Sequence, residues 1–325
     1  LGPEFGGSIG LVFFLAQAVS VAMYVLGFTE ALMAAFPDIG LDETTAATLV
    51  NLGVFVCVYI GAGWTIRLQY GILALLLLSL VSFFTGAFGS FSAERFTENM
   101  TSGFPEGDTF FTMFALFFPA ATGIMAGANL SGDLKNPGKS IPAGTISAIL
   151  VTGIVYVAIA FALAGTSSHD ALLDNSMIMR DIATIPLLIT LGVFAATISS
   201  GVGSMLGAPR ILQSLARDGV FRRLRFFGAG DGPNNEPRRA TVLTFLIAQL
   251  CIVLGDLNAI APIITMFFLI TYGVLNLATF YESVTRNPSY RPTFKWSHWS
   301  TALLGAIGCT VVMFLTSPAW ACLLY

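Results

Sequence analysis

The sequence predicts an all-α membrane protein, and three observations carry that prediction. Hydrophobic residues make up 55% of the chain and charged residues only 10%. Mean hydropathy is +0.81. The apolar residues gather in runs of about 20, the length of helix that crosses a bilayer core, with short Pro-, Gly- and polar-containing stretches between them. A net charge of −3 over 325 residues leaves no broad basic surface, which excludes a nucleic-acid-binding protein. Cys57, Cys251, Cys309 and Cys322 are far apart and show neither CxxC nor Cys/His ligand spacing, so they read as small buried hydrophobes. With no zinc-helix, phosphate-loop or nucleophile-elbow pattern, an enzyme has no positive support, and neither cofactor nor metal centre is expected.

Taken in order, the spans fall near 8–32, 46–63, 69–90, 110–132, 142–165, 185–207, 239–255, 258–280 and 299–316, which makes nine. Residues 317–325 read as the start of a tenth. Turn chemistry such as Phe36-Pro37-Asp38 and Gly103-Phe104-Pro105 separates them. If odd-numbered spans run outward, thirteen of the fifteen basic residues lie on the inner side and only Arg95 and Arg180 lie outside. That is a positive-inside signal, and it orients the chain with an inward-facing start. The arginines from Arg217 to Arg239 then share one inner loop, where topology bias alone accounts for them, although a partner or lipid site would use the same charges. Outside, Asn99-Met100-Thr101 is a glycosylation sequon. The chain opens Leu1-Gly2-Pro3-Glu4-Phe5 without methionine or basic leader, so a fragment or processed product is expected.

The fourth span carries the most telling chemistry. It reads Phe117-Phe118-Pro119-Ala120-Ala121-Thr122-Gly123-Ile124-Met125-Ala126-Gly127. Proline removes a donor and clashes with the preceding turn, and the nearby glycines lower the cost of leaving the helix, so a break near Pro119–Gly123 is predicted. Irregular backbone persists in a membrane only where it is buried or lines a cavity. Carbonyls at the end of the first half-helix would attract a cation, and the amides of Gly123, Ile124 and Met125 an anion. A proline-kinked packing helix is the plain alternative.

The spans hold almost no carboxylate: Glu30 lies near the outer end of the first, and His169 and His298 fall in or beside loops. A proton relay lacks its parts. Any cation inside would be held by neutral oxygens such as Tyr24, Thr122, Ser199, Ser200 and main-chain carbonyls, and a co-bound anion would balance its charge. Ala196-Thr197-Ile198-Ser199-Ser200-Gly201 suits a small alkali cation, but it equally suits helix–helix hydrogen bonding. Tyr24 and Tyr272 are equally open between ligation and packing.

The string from Phe118 through Leu134 closely resembles the broken sixth helix of the cation–chloride cotransporters. Further matches are Gly2–Gly10 with Ala22–Phe28, Ala208–Gln213, Asn234–Pro237 and Asn258–Ile264. This resemblance runs nearly end to end. It implies the five-plus-five inverted-repeat (LeuT-like) fold of the amino acid–polyamine–organocation superfamily. Residues 1–325 would form a single transmembrane transport domain matching helices three to eleven and the start of twelve, without the first two helices or a soluble C-terminal domain.

By motif, the resemblance assigns a potassium site to Tyr24, Pro119 and Thr122, and a chloride site to Gly123, Ile124, Met125 and Tyr272. A sodium site falls to Ala196, Ser199 and Ser200, and an extracellular gate to Glu30. The implied activity is electroneutral symport of chloride with sodium, potassium or both, by alternating access around the break, in a plasma or bacterial inner membrane. Because the first helix supplies the other half of these sites in the family, the chain by itself is expected not to transport. Gly132-Asp133-Leu134-Lys135-Asn136-Pro137 also resembles amino acid permeases, which keeps an amino acid or polyamine permease as the alternative. Expected partners are membrane lipid, small inorganic ions and a second copy of the chain as a homodimer.

Overall fold

A computed structural model of the chain describes residues 2–60, 62–104, 107–129, 131, 134–232, 235–255, 257–285, 290, 294 and 297–324, except the side chains of 62–68, 259, 323 and 324. Arg286, Arg291 and Lys295 of the inner loops, Pro105 of the predicted turn, and Leu130, Gly132, Asp133 and Asn234 of the family-like motifs lie outside the described residues.

The elements are α1 (Pro3–Ala35), α2 (Glu43–Ile60), α3 (Ala62–Ser90), α4 (Ala93–Glu98), α5 (Phe110–Phe117), a 3₁₀ turn (Phe118–Ala121), α6 (Ala126–Asn129), α7 (Pro137–Thr166), α8 (His169–Asp174) and α9 (Ile178–Ile182). They continue with α10 (Pro186–Asp218), a 3₁₀ segment (Arg222–Gly228), α11 (Arg238–Leu254), α12 (Leu257–Thr285), α13 (Trp299–Thr316) and α14 (Pro318–Leu324). Among the described residues the extended pairing amounts to one bridge, between Asp231 and Glu236. Among the described residues, eight helical segments are long and apolar enough to cross a membrane. The predicted span at 239–255 is not among them, because α11 stops at 17 residues. At 1.5 Å per residue it reaches about 26 Å, the short end of what spans a bilayer.

Helix α1 is the axis of the molecule. Phe13, Ala16, Val19, Ala22, Val25 and Leu26 share one core with Ala47 and Val54 of α2, Val202 and Met205 of α10, Ala248 and Ile252 of α11, and Ile264 and Phe268 of α12. Small residues let α10 approach it: Gly201 of α10 lies against Tyr24 of α1, where an added Cβ would sit 3.6 Å from the tyrosine Cβ. In a lipid solvent such close approach replaces the hydrophobic drive of a water-soluble core.

Polar bonds also join α2 and α11. Asn51, fully buried, donates through Nδ2 to Gln249 Oε1 (3.0 Å), and Gln249 Nε2 donates to Thr48 Oγ1 (2.8 Å). At the outer start of α2, hydrogen bonds from Thr45 hold the Asp42 carboxyl below the usual carboxylate range, as a capping acid at a helix N-terminus should be.

The outer rim is tied together by side chains that satisfy backbone groups. Ser82 Oγ donates to Ile185 O (3.1 Å) and accepts from Ile185 N (2.8 Å), which fixes the entry of α10 on α3. Gly86 permits this approach: a Cβ there would lie 2.0 Å from Ile182 O. Asn99 donates both amide hydrogens, to Ala164 O (2.9 Å) and Ser167 O (2.8 Å), so the sequon asparagine is committed to the α4–α7 junction.

Candidate functional site

The predicted break exists, but it sits a few residues beyond the proline. Pro119 enters a 3₁₀ turn that keeps the helical sense through Ala121. Its missing N–H orphans the carbonyl one turn back, Ala115 O, and the fully buried Thr265 of α12 donates its hydroxyl there instead (2.7 Å). Further on, Tyr156 Oη of α7 donates to Ala120 O (2.7 Å). The chain leaves the helix at Thr122 (φ −84°, ψ 177°) and turns at Gly123 (φ +91°), a conformation that side-chain-bearing residues rarely adopt. Helix resumes as α6, four residues long among the described ones, so free N–H groups rather than a long macrodipole are what this side presents. The amides of Gly123, Ile124 and Met125 have no protein acceptor among the described residues.

This break opens onto a cavity of about 420 Å³. Gln17 and Tyr24 of α1 form one wall, Thr122, Gly123, Ala126 and Asn129 of the broken helix a second, Ser199, Ser200, Ser204 and Gly207 of α10 a third, and Gln69 of α3 closes it. Of the residues singled out from the sequence, Tyr24, Thr122, Gly123, Ser199 and Ser200 therefore meet in one place. Among the described residues no Asp, Glu, Lys, Arg or His lines the cavity, which leaves it neutral and rich in oxygen.

Local bonding shows which oxygens are spare. Thr122 Oγ1 donates to Pro119 O (2.6 Å) and faces the Tyr24 phenol across the break. The Pro119 carbonyl also accepts Thr122 N (3.1 Å), so it is already doubly occupied. Ser199 Oγ donates to Gln69 Oε1, which spends the serine proton and turns its lone pairs outward. Ser200 has no hydrogen-bond partner among the described residues. Ala196 does not line the cavity; its carbonyl belongs to the turn of α10 before Ser200.

Tyr272 of α12 stands behind the break. Its hydroxyl is buried with no acceptor for its proton among the described residues, and the Gly123 N–H is directed at its oxygen. Both groups are donors, so an acceptor between them would be bound by both. Ile124 and Met125 follow Gly123 in the chain without lining the cavity, and Glu30 is exposed near the outer end of α1, apart from it.

Gln17, Gln69, Asn129 and Ser204 were not singled out from the sequence as site residues. A periodic signal for part of this set exists: Ser200, Gly203, Ser204 and Gly207 recur at helical spacing, and Gln17 and Tyr24 lie two turns apart.

The amino acid permease family model matches residues 1–325. The chain is 38% identical to solute carrier family 12 member 2 of mouse (Mus musculus) and of human (Homo sapiens), in each case over 100% of the chain and 31% of the relative. It is 37% identical to mouse solute carrier family 12 member 1, over 97% of the chain and 34% of that protein. The chain thus spans about a third of the length of the curated relatives it matches. It is an integral, multi-pass membrane protein and belongs to the amino acid permease family, within the cation–chloride cotransporter branch that its motifs resemble.

Proposed function

We propose that the protein carrying this chain is an electroneutral symporter that moves chloride together with sodium, potassium or both. The carrying observation is the neutral, oxygen-lined cavity where the break in the fourth span meets Tyr24 and the paired serines of α10. Potassium is assigned to Tyr24, Pro119 and Thr122, and sodium to Ala196, Ser199 and Ser200. Chloride is assigned to the amides of Gly123, Ile124 and Met125 together with the Tyr272 hydroxyl, and Glu30 to an outer gate.

The electrostatics supports coupling. A bare cation held by neutral ligands in a low-dielectric site is costly, and a chloride a few ångströms away removes much of that cost. Each ion then raises the other's affinity, and transport of the neutral set follows. Alternating access would proceed by movement of the broken helix against α1 and α10.

The test is rubidium uptake into cells expressing the protein from its complete reading frame. Uptake is expected to require chloride and to be indifferent to amino acids. Uptake independent of chloride and competed by an amino acid or polyamine would replace this reading with that of a permease on the same fold.

A further inference from the structure

The loop joining α10 to α11 carries charge that the ion chemistry above does not use. Its underside is anchored: Leu224 and Phe227 pack against the core formed by Phe14, Ala18, Leu212 and Ala240. Arg217 fastens it by donating from Nε to Gly228 O (2.8 Å) and from Nη2 to Asn235 Oδ1 (2.8 Å). Arg239 donates to Phe226 O (3.2 Å), with its guanidinium 4.4 Å from the centre of the Phe226 ring. The other side is bare. Arg222 and Arg223 are exposed, Phe226 is 61% exposed, and neither arginine closes an ion pair with Asp218, Asp231 or Glu236 among the described residues. Charge alone suffices to orient a membrane protein; topology does not require an ordered shelf with guanidinium groups held beside an aromatic ring.

The position of the shelf says what it meets. Leu246, Leu250 and Val253 of α11 and Leu52, Val56 and Tyr59 of α2 are exposed at helical spacing on two helices that pack together, which makes this wall lipid-facing. The wall leads into the shelf through Arg238, whose guanidinium lies 5.1 Å from the centre of the Tyr59 ring. Tyrosine at this depth marks the membrane–water interface.

We propose that this shelf binds the phosphate-bearing headgroup of an anionic lipid in the inner leaflet. Guanidinium forks grip phosphate oxygens in pairs, and basic clusters at the inner ends of spans recruit anionic lipid. Charge complementarity is local, since the chain as a whole carries −3. Phe226 and Tyr59 would lie against the glycerol and upper acyl region.

The experiment uses the purified full chain in neutral detergent, titrated with acyl-labelled phosphatidylinositol 4-phosphate and read by fluorescence anisotropy. No topology is left to decide there. Arg222→Gln with Arg223→Gln is expected to weaken binding at least tenfold. Lys135→Gln with Lys139→Gln removes the same charge from another exposed inner segment and is expected to change it less than twofold. Phe226→Ala, which keeps every guanidinium, is expected to weaken the lipid about threefold. Equal losses in the two double variants, or no loss in the arginine pair, would overturn the proposal in favour of a general charge effect. Displacement by soluble inositol phosphate at the lipid's own affinity would overturn it in favour of a free-anion site.

Discussion

Tyr24 and Tyr272 have the same chemistry and opposite surroundings, which makes them the sharpest test of the ion assignments. The Tyr24 phenol faces Thr122 beside the cavity, and its oxygen is one of several neutral oxygens there. The Tyr272 hydroxyl is a buried donor with no acceptor. A hydrogen bond to a charged partner is worth about 1.5–3 kcal/mol, so Tyr272→Phe is expected to raise the chloride concentration for half-maximal rubidium uptake about tenfold and to leave the potassium requirement nearly unchanged. Tyr24→Phe is expected to do the reverse. Equal effects of both variants on both ions would mean that the rings only pack. Residues of this kind were legible because a hydroxyl or a proline stands out in an apolar span. Gln17, Gln69 and Asn129 were not, because a span tolerates a single amide wherever a neighbouring helix satisfies it. Only the folded chain shows Gln17 buried at a cavity wall and lacking such a partner among the described residues.

Within the fourth span, proline and glycine divide the work. The break predicted near Pro119–Gly123 falls at the Thr122–Gly123 end of that range, because Pro119 itself is carried through a 3₁₀ turn while Thr265 donates to the carbonyl that proline leaves unpaired. That rescue comes from a helix remote in sequence, so no local pattern discloses it. Gly123 makes the break, through a backbone angle rather than through a clash, since a Cβ there would meet nothing within 4 Å. Thr265→Val keeps the side-chain shape and leaves the Ala115 carbonyl unpaired. It is expected to cost about 1–2 kcal/mol, seen as earlier loss of the monodisperse peak when the detergent-solubilised protein is heated. Thr265→Ser should retain most of the stability. A Val variant as stable as the Ser variant would show that water or a shifted backbone satisfies that carbonyl.

At the scale of the whole molecule, the two walls of the cavity belong to differently built parts. Helices α1, α2, α10 and α11 share one core, with α2 and α11 further joined by the Asn51–Gln249–Thr48 bonds, whereas the broken helix rests on that core by Phe118 and Met125 and reaches α10 through the short α6. Such a division suits a fixed scaffold and a moving element, with access changing as the broken helix parts from α10. The seam between them is narrow: a Cβ on Gly207 of α10 would lie 3.2 Å from Asn129 Nδ2 and 4.0 Å from its Cγ. The Asn129 Cβ itself lies more than 4 Å from that point, so cysteines at both positions would bridge as the two elements approach. In the protein bearing Asn129→Cys and Gly207→Cys, oxidation is expected to cut rubidium uptake to below about a tenth of the reduced value, and reductant should restore it, since a closed seam holds one state of a two-state cycle. Each single variant is expected to respond to oxidant no more than the parent, which controls for Cys57, Cys251, Cys309 and the exposed Cys322. Undiminished uptake by the doubly substituted protein, with the cross-link verified by mass spectrometry, would show that α6 and α10 travel together and that the cavity opens elsewhere.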